Sequence, residues 1–337
     1  MRVLLIKTSS MGDIIHTLPA LTDAQNAMPG IRFDWVVEEG FADIPAWHPA
    51  VDQVIPVAIR RWRKHLWQTW RSGEYRRCKQ RLREGQYDLV LDAQGLTKSA
   101  WLTRGLRAPV HGLDKHSSRD GFSQRFYDHC HAVSWDLHAV ERLRTLFASV
   151  LGYEKPAGTG DYGLDRAALA ARLDNPPAQP WLMFLHGTTW PSKHWPEHNW
   201  RALAEHYSAA GQLVRLPWGS AEEQARALRI AEGLPGVEVL PKLRITEVAC
   251  WLAGARACVA VDTGLGHLAA ALDTPCVSLY GPTLPRKVGA YGRGQVHLCA
   301  SGPHAGKGDK HQPCFDSLGV QPVIAALDGL LTDTAAE

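Results

Sequence analysis

Short apolar strands alternate with helical stretches along the chain, stop at a proline-rich segment, and then begin again. Before the break, the strand-like segments are residues 2–7, 33–37, 54–57 and 88–92. After it, they are residues 181–185, 212–216, 237–240, 258–261 and 276–279. Strands separated by helices are parallel, because the crossover helix returns the chain to the same end of the sheet. The pattern therefore predicts an α/β protein with two doubly wound, Rossmann-like halves.

The break at residues 175–180, Asn-Pro-Pro-Ala-Gln-Pro, is a stiff connector and a natural domain boundary. A chain of 337 residues also exceeds the usual size of a single core. We predict an N-terminal domain over residues 1–174, a C-terminal domain over 175–319, and a C-terminal helix over 320–337 that could return to the first domain. Ligands of such sheets bind at the carboxyl ends of the strands, which predicts a cleft between two facing domains.

The composition excludes several classes of protein. No apolar run approaches the roughly 20 residues that span a bilayer, and Met1-Arg2 leads directly into a strand, without room for a signal peptide. The seven cysteines are scattered and form no C-x-x-C pair, which disfavours disulfides and zinc and indicates a reducing cytoplasm. The sixteen histidines form no H-E-x-x-H motif. We expect no metal site and no cofactor.

One segment, residues 60–83, carries ten Lys and Arg residues against the single acid Glu74. Trp62, Trp67 and Trp70 are interleaved with these cations. Such a segment can bind nucleic acid, an anionic membrane or a phosphorylated ligand. It can equally be a solvated helix face whose tryptophans lie in the core. Because no nucleic-acid motif accompanies it, a phosphorylated or membrane-embedded partner is the favoured functional reading.

The loop over residues 8–16 follows the first strand and opens a helix. The N–H groups of a helix N-terminus and its dipole favour anions, and Gly12 permits close approach of a ligand. Asp13 lies in the first helical turn, where the dipole stabilises its carboxylate. The alternative is that Ser10 or Asp13 merely caps the helix. The segment is not a G-x-G-x-x-G motif and does not indicate a dinucleotide site.

Residues 260–271 repeat this arrangement in the second half: a buried strand runs into Asp262-Thr263-Gly264-Leu265-Gly266-His267 and then a helix. Amide groups, a hydroxyl and a helix N-terminus together suit a pyrophosphate. Asp262 could accept hydrogen bonds from sugar hydroxyls. An ordinary turn capped by Asp262 or Thr263 is the alternative.

Two further loops of the second half follow predicted strands. Thr188, Thr189 and Lys193 follow the first strand, and two hydroxyls with a lysine suit phosphate oxygens. Glu222 and Glu223 begin a helix after the second strand, where a carboxylate can bind a ribose diol. Both glutamates could instead be first-turn residues favoured by the helix dipole.

Taken together, these segments resemble the bacterial lipopolysaccharide heptosyltransferases of glycosyltransferase family 9, and most of all the heptosyltransferase I branch. The resemblance extends from residue 1 to about residue 292 and covers residues 7–13, 16–21, 33–40, 60–64, 92–96, 193–196, 216–219 and 261–265. Residues 299–317 contain no segment that matches the family.

The family resemblance implies a GT-B fold and an inverting transfer of heptose from ADP-L-glycero-β-D-manno-heptose to the first Kdo sugar of Kdo2-lipid A. It implies peripheral contact with the cytoplasmic face of the inner membrane and no metal in the chemistry. Asp13 matches the general base, and Lys193 stabilises the departing diphosphate. The donor-binding positions are Thr188, Thr189, Lys193, Glu223, Leu243, Asp262, Thr263, Gly264 and His267. The acceptor-binding positions are Ser10, Gly12, Arg60, Arg61, Arg63 and Lys64.

The residue chemistry agrees, because inversion needs one carboxylate to take the acceptor proton while the nucleotide leaves from the opposite face. Three alternatives stay open. Heptosyltransferase II or another sugar transferase has the same fold. A nucleotide-sugar 2-epimerase also has two Rossmann-like domains but needs no acceptor. A nucleotide-sugar binding protein would bind ADP without transfer.

Overall fold

The computed structural model describes residues 1–302 and 304–333, which form two compact α/β units. Pro303 and residues 334–337, the end of the predicted C-terminal helix, lie outside the described residues. The first unit is Met1–Gly163, and the second begins at Leu164.

Six parallel strands form the sheet of the first unit in the order β3-β2-β1-β4-β5-β6. They are β1 Arg2–Ile6, β2 Arg32–Glu38, β3 Val51–Val57, β4 Leu89–Asp92, β5 Val110–Leu113 and β6 His129–His131. The α-helices are α1 Met11–Ile15, α2 Leu18–Ala27, α3 Ile59–Lys64, α4 Leu66–Ser72, α5 Glu74–Glu84, α6 Thr97–Ala100 and α7 Ala139–Leu151. Val3, Leu4, Leu5 and Ile6 of β1 are fully buried, as expected of a central parallel strand covered on both faces.

The second unit repeats this topology, with strand order β12-β11-β10-β7-β8-β9. Its strands are β7 Trp181–Leu185, β8 Leu213–Leu216, β9 Val237–Val239, β10 Ala257–Val261, β11 Cys276–Tyr280 and β12 Gln295–Cys299. Its α-helices are α8 Arg166–Ala170, α9 Glu197–Ala209, α10 Ala221–Ala231, α11 Ile245–Gly254, α12 Gly264–Ala271, α13 Pro285–Val288 and α14 Val320–Asp333.

Each sheet reverses its strand order at one point, between β1 and β4 in the first unit and between β7 and β10 in the second. Ligands of doubly wound sheets bind beyond the carboxyl ends of the strands at this switch point. Asp13 follows β1, whereas Lys193 follows β7 and Asp262 follows β10. The topology therefore brings the predicted loops to the switch point of their own sheet.

The predicted strands are present in the structure, but three further ones were missed. β5, β6 and β12 lie at or next to a sheet edge, and two of them are only three or four residues long. Their sequences, Val-His-Gly-Leu, His-Cys-His and Gln-Val-His-Leu-Cys, lack the continuous apolar run of a central strand. An edge strand needs no such run, because part of it faces solvent.

The units divide between Gly163 and Leu164, upstream of the boundary predicted at residues 174 and 175. Helix α8 belongs to the second unit, where Arg166 donates hydrogen bonds to the carbonyls of Ala253 and Ala255. Helix α14 also belongs to the second unit. Its apolar residues Val323, Ile324, Leu327 and Leu330 join that unit's core.

Candidate functional site

Asp13 is held at the start of α1 by the loop that follows β1. Its Oδ2 accepts the Ser10 N–H at 2.8 Å and the Ser10 hydroxyl at 3.1 Å. The capping alternative is therefore realised, but with only one carboxylate oxygen. Within the described part of the chain, Oδ1 of this half-buried residue accepts no hydrogen bond. Asp13 thus has a fixed orientation and a free oxygen, which a general base requires.

The electrostatics around Asp13 favour its charged form. Burial opposes ionisation, but the Lys7 ammonium, the Ser10 N–H and the Arg119 guanidinium outweigh it, so the pKa of Asp13 lies below its ordinary value. Burial also lowers the pKa of Lys7, against the attraction of the Asp13 carboxylate. Arg119, an exposed residue beyond β5, was not singled out from the sequence. No local motif marks it, because its relation to Asp13 exists only in the folded sheet.

A second loop, at the end of β4, supports the Asp13 loop. The Gln94 side-chain oxygen accepts the N–H groups of Thr8 at 2.9 Å and Ser9 at 3.1 Å. Gln94 is itself oriented by Asp92, whose Oδ1 accepts the Gln94 N–H at 2.9 Å. Burial raises the pKa of Asp92 to about 6, although Tyr127 and Ser99 donate hydrogen bonds to its carboxylate. The loops on both sides of the switch point are therefore joined by hydrogen bonds.

The four predicted acceptor cations on α3 differ in their surroundings. Arg61 forms ion pairs with Glu39 at 3.0 Å and with Glu74 at 2.7 Å. Its guanidinium is therefore engaged in holding α3 to the flanking segments, and it is a poor candidate for an acceptor contact. Arg60 lies over the Phe41 ring at 5.6 Å, and its N–H donates to Glu38.

Arg63 and Lys64 are exposed, and neither side chain pairs with a carboxylate in the part of the chain that the structure describes. Lys98, near the end of β4, links this segment to Asp13 electrostatically. Burial lowers the pKa of Lys98, and the charges of Arg60, Glu38, Arg63 and Asp13 act on it as well. Lys98 therefore feels the charges of both Arg63 and Asp13.

In the second unit, Lys193 and Asp262 form the centre of the candidate donor site. Lys193 Nζ lies 2.6 Å from Asp262 Oδ2, and both side chains are largely buried. His267 Nε2 lies 3.9 Å from the other carboxylate oxygen. The Thr188 hydroxyl donates to the Asp262 carbonyl at 3.1 Å. Loops after β7 and β10, predicted separately, therefore meet around one ion pair.

Three residues at this ion pair were missed from the sequence. Thr283, after β11, donates its hydroxyl to Asp262 Oδ2 at 2.5 Å. The Trp190 ring lies 4.3 Å from Lys193 Nζ and 4.9 Å from Lys310 Nζ. Lys310 belongs to residues 299–317, in which no motif was recognised from the sequence, and this segment is anchored where Ser192 Oγ donates to the Asp309 carbonyl at 2.7 Å. Irregular segments of this kind have no periodicity from which such a contact could be predicted.

Thr263 and Gly264 begin α12. Thr263 is the N-cap residue, but its side chain forms no cap hydrogen bond. The first N–H groups of a helix have no intrahelical acceptor, so this terminus can bind an anion. Gly266 has a packing role instead, since a Cβ there would lie 3.2 Å from the Ala260 side chain. Thr189, also predicted as a donor contact, is exposed on the loop after β7.

The structure distinguishes the two glutamates of α10. Glu223 is half-buried, and its Oε2 accepts the Gly219 N–H at 2.7 Å. A Cβ on Gly187 would come within 2.5 Å of Glu223 Oε1, so this carboxylate lies against the loop after β7. Glu222 is exposed. Leu243, the predicted adenine contact, is half-buried just before α11.

No group of three or more His, Cys, Asp or Glu side chains is arranged to hold a metal ion within residues 1–302 and 304–333. Among the helices described, none combines the length and hydropathy needed to cross a membrane.

Comparisons with known proteins identify the family and the fold of the chain. Glycosyltransferase family 9 (heptosyltransferase) matches residues 75–315. The chain is 60% identical to lipopolysaccharide heptosyltransferase 1 of Pseudomonas aeruginosa, over 98% of each chain. It is 47% identical to E. coli heptosyltransferase WaaC with ADP, at a TM-score of 0.90 over 98% of this chain and 100% of that one. The same E. coli enzyme with ADP-2-deoxy-2-fluoro heptose matches at a TM-score of 0.87, with 47% identity over 98% and 99% of the chains. These matches confirm the predicted GT-B fold class.

Proposed function

Since the chain belongs to glycosyltransferase family 9, the heptosyltransferases, we propose that it moves L-glycero-D-manno-heptose from ADP-heptose to the first Kdo of Kdo2-lipid A. It is a glycosyltransferase of lipopolysaccharide inner-core synthesis, with the E. coli structures bound to ADP and a fluorinated ADP-heptose supporting the donor. The lipid acceptor implies that it works in the cytoplasm, in peripheral contact with the inner membrane.

The observation that supports the proposal most directly is the free Oδ1 of Asp13, whose other carboxylate oxygen accepts two hydrogen bonds from Ser10. In the reaction, this oxygen takes the proton of the acceptor hydroxyl. The hydroxyl oxygen bonds to the anomeric carbon as the bond from that carbon to the diphosphate breaks. ADP departs with the bonding electron pair from the face opposite the acceptor, which inverts the anomeric configuration.

The leaving diphosphate needs positive charge in the transition state. In this proposal, Lys193 and the N–H groups at the start of α12 provide it, and the Thr263 hydroxyl donates a hydrogen bond to the diphosphate. The Thr188 hydroxyl, which donates to the Asp262 carbonyl, holds the two loops together beside the diphosphate. Because Lys193 pairs with Asp262 at 2.6 Å, a bound diphosphate must share the Lys193 ammonium with the Asp262 carboxylate. Asp262 can then accept hydrogen bonds from heptose hydroxyls, with His267 beside it.

A donor-only assay separates this proposal from its alternatives. With ADP-heptose alone, we expect no conversion, and with Kdo2-lipid A added we expect release of ADP. Conversion of the donor sugar without acceptor would indicate an epimerase. Tight ADP binding without release under either condition would indicate a binding protein. Turnover only with an acceptor that already carries one heptose would indicate the heptosyltransferase II reaction.

The two glutamates of α10 provide a matched test of the donor site. Glu223→Gln is expected to weaken ADP binding roughly tenfold, because Gln can keep a neutral hydrogen bond to the ribose and loses only the charge-assisted part, about 1.4 kcal/mol. Glu222→Gln removes the same charge one residue away on the exposed face and should leave binding unchanged. Calorimetric titration with ADP measures both affinities, and equal losses would contradict the assignment of Glu223 as the ribose ligand.

Arg63 and Lys64 are expected to act on the acceptor. Arg63→Gln/Lys64→Gln should raise the acceptor KM roughly tenfold to thirtyfold, since each cation near an anionic lipid surface is worth about 1 kcal/mol. The effect should shrink with added salt, because exposed charges are screened over roughly 10 Å at 0.1 M. Donor affinity should not change. Arg61→Gln is the comparison: it should lower thermal stability instead, and an equally large acceptor effect there would contradict the assignment.

The pH profile tests the environment of Asp13. Because the pKa of Asp13 lies below its ordinary value, the base stays charged and kcat/KM for the acceptor should hold through the mildly acidic range, where an ordinary aspartate is still charged. Activity is lost only as pH falls through this lowered pKa. Arg119→Gln removes one stabilising charge and should move the acid limb to higher pH. Superimposable profiles for the parent and Arg119→Gln, with folding verified by circular dichroism, would argue against Asp13 as the titrating base.

A further inference from the structure

Two tryptophans of the basic segment do not lie in the core. Trp62 is buried, but Trp67 and Trp70 on α4 are 69% and 68% exposed. Their rings stack on each other, with centroids 5.5 Å apart. Aromatic surface of this size gains free energy when it is removed from water, and an exposed apolar patch commonly marks an interaction site.

Trp70 also forms one wall of a pocket of about 470 Å³. Trp101, which is 45% exposed, also lines the pocket. Lys79 holds α5 to the turn that carries Trp101, because its Nζ donates to the carbonyls of Leu102 at 2.8 Å and Arg104 at 2.7 Å. The pocket is thus a built feature of α4, α5 and the turn after α6, separate from the residues assigned to donor or acceptor.

The charge in this pocket is positive and uncompensated. Arg76 and Arg83 line it from one face of α5, seven residues apart, and Arg104 lies over the Trp101 ring at 5.1 Å. Neither Arg76 nor Arg83 has a hydrogen bond or ion pair from its side chain to any other described residue. No carboxylate lines the pocket among the described residues. The pocket therefore suits an anion of the size of a phosphate ester.

The aromatic rim continues beyond Trp101. The Phe126 ring lies 5.9 Å from Trp101 and 6.3 Å from Phe122, which is 45% exposed. Arg125 lies over the Phe122 ring at 4.5 Å. Exposed aromatic rings alternating with arginines are typical of surfaces that rest at a membrane interface, where the rings enter the headgroup region and the cations meet lipid phosphates.

We propose that this face docks the protein on an anionic bilayer, with a lipid phosphate entering the pocket between Trp70 and Trp101. The docking face consists of Trp67, Trp70, Arg76, Arg83, Trp101, Arg104 and Phe122. The choice of a bilayer over another polyanion rests on the proposed function, in which the acceptor is itself a membrane lipid. Docking holds the enzyme where its acceptor is concentrated and adds nothing to the chemical step.

Vesicle co-sedimentation without substrates tests the proposal directly. The parent protein should bind vesicles of phosphatidylcholine mixed with phosphatidylglycerol and bind phosphatidylcholine alone much more weakly. Arg76→Gln/Arg83→Gln should reduce binding to the anionic vesicles roughly tenfold or more. Trp67→Ala/Trp70→Ala should reduce it by a similar factor through loss of interfacial insertion. Arg172→Gln/Arg293→Gln is the matched control, since it removes two exposed cations from the second unit and should not change binding.

An activity assay with a water-soluble acceptor that lacks acyl chains tests the docking proposal separately from the proposed transferase function. All four proteins should use that acceptor with the same kcat/KM, because docking is not needed for a soluble substrate. Parent-like vesicle binding by both face variants would overturn the docking proposal, as would equal loss in the control. Binding of a single-stranded RNA in preference to the anionic vesicles would also overturn it. Absence of transfer by the parent with normal vesicle binding would reject the function and leave the docking face intact.

Discussion

Asp13→Asn is expected to lower turnover by a factor on the order of 10²–10⁴, which is the usual effect of removing a general base. The amide has nearly the same shape and can still accept the Ser10 N–H through its oxygen, so the helix start should persist. It has no second oxygen with which to take the acceptor proton. Steady-state kinetics at saturating donor and acceptor measure the loss.

The donor provides the control for this variant. ADP binds the second unit in our account, so the calorimetric affinity of Asp13→Asn for ADP should equal that of the parent. Turnover within about threefold of the parent would mean that Asp13 serves only as a cap. A parallel loss of ADP affinity or of melting temperature would indicate a folding defect and not the loss of a base.

Lys193→Ala should lower kcat by a factor on the order of 10², since it removes a charge that stabilises the leaving diphosphate more strongly in the transition state than in the bound donor. The variant also leaves the buried Asp262 carboxylate without its partner at 2.6 Å. The double variant Lys193→Ala/Asp262→Asn removes that unpaired charge. It separates the loss of leaving-group stabilisation from the loss of folding stability, because we expect folding stability to recover in the double variant while kcat does not.

Lys310 is a matched control for Lys193. Both ammonium groups lie over the Trp190 ring, at 4.3 Å for Lys193 and 4.9 Å for Lys310, but only Lys193 pairs with Asp262 in the described chain. Lys310→Ala should therefore cost much less in kcat. Equal losses, or a Lys193→Ala effect confined to the acceptor KM, would remove Lys193 from the leaving-group role.

Much of the fold was predictable because central parallel strands consist of consecutive apolar residues. Val3-Leu4-Leu5-Ile6 is such a run, and its burial follows from helices on both faces. The candidate loops were predictable for a related reason: the loops at the carboxyl ends of β1, β7 and β10 hold Asp13, Lys193 and Asp262. The strands at or next to the sheet edges were not predictable, because their partial exposure leaves no continuous apolar run.

Pairing between distant side chains could not be predicted from local spacing. Arg61 belongs by sequence to one basic cluster with Arg63 and Lys64, yet Glu39 and Glu74 neutralise it. Thr283 reaches Asp262 only because β11 lies beside β10 in the sheet. The alternative that the tryptophans lie in the core is correct for Trp62 and wrong for Trp67 and Trp70 on the next helix.

Mass spectrometry of the lipid product tests the central claim most directly. After the protein is mixed with ADP-heptose and Kdo2-lipid A, our account predicts that the acceptor gains the mass of one heptose residue and no more. ADP should appear in equal amount, and Asp13→Asn should abolish most of both signals. An unchanged acceptor mass with intact, folded protein, or donor sugar altered without transfer, would contradict the account.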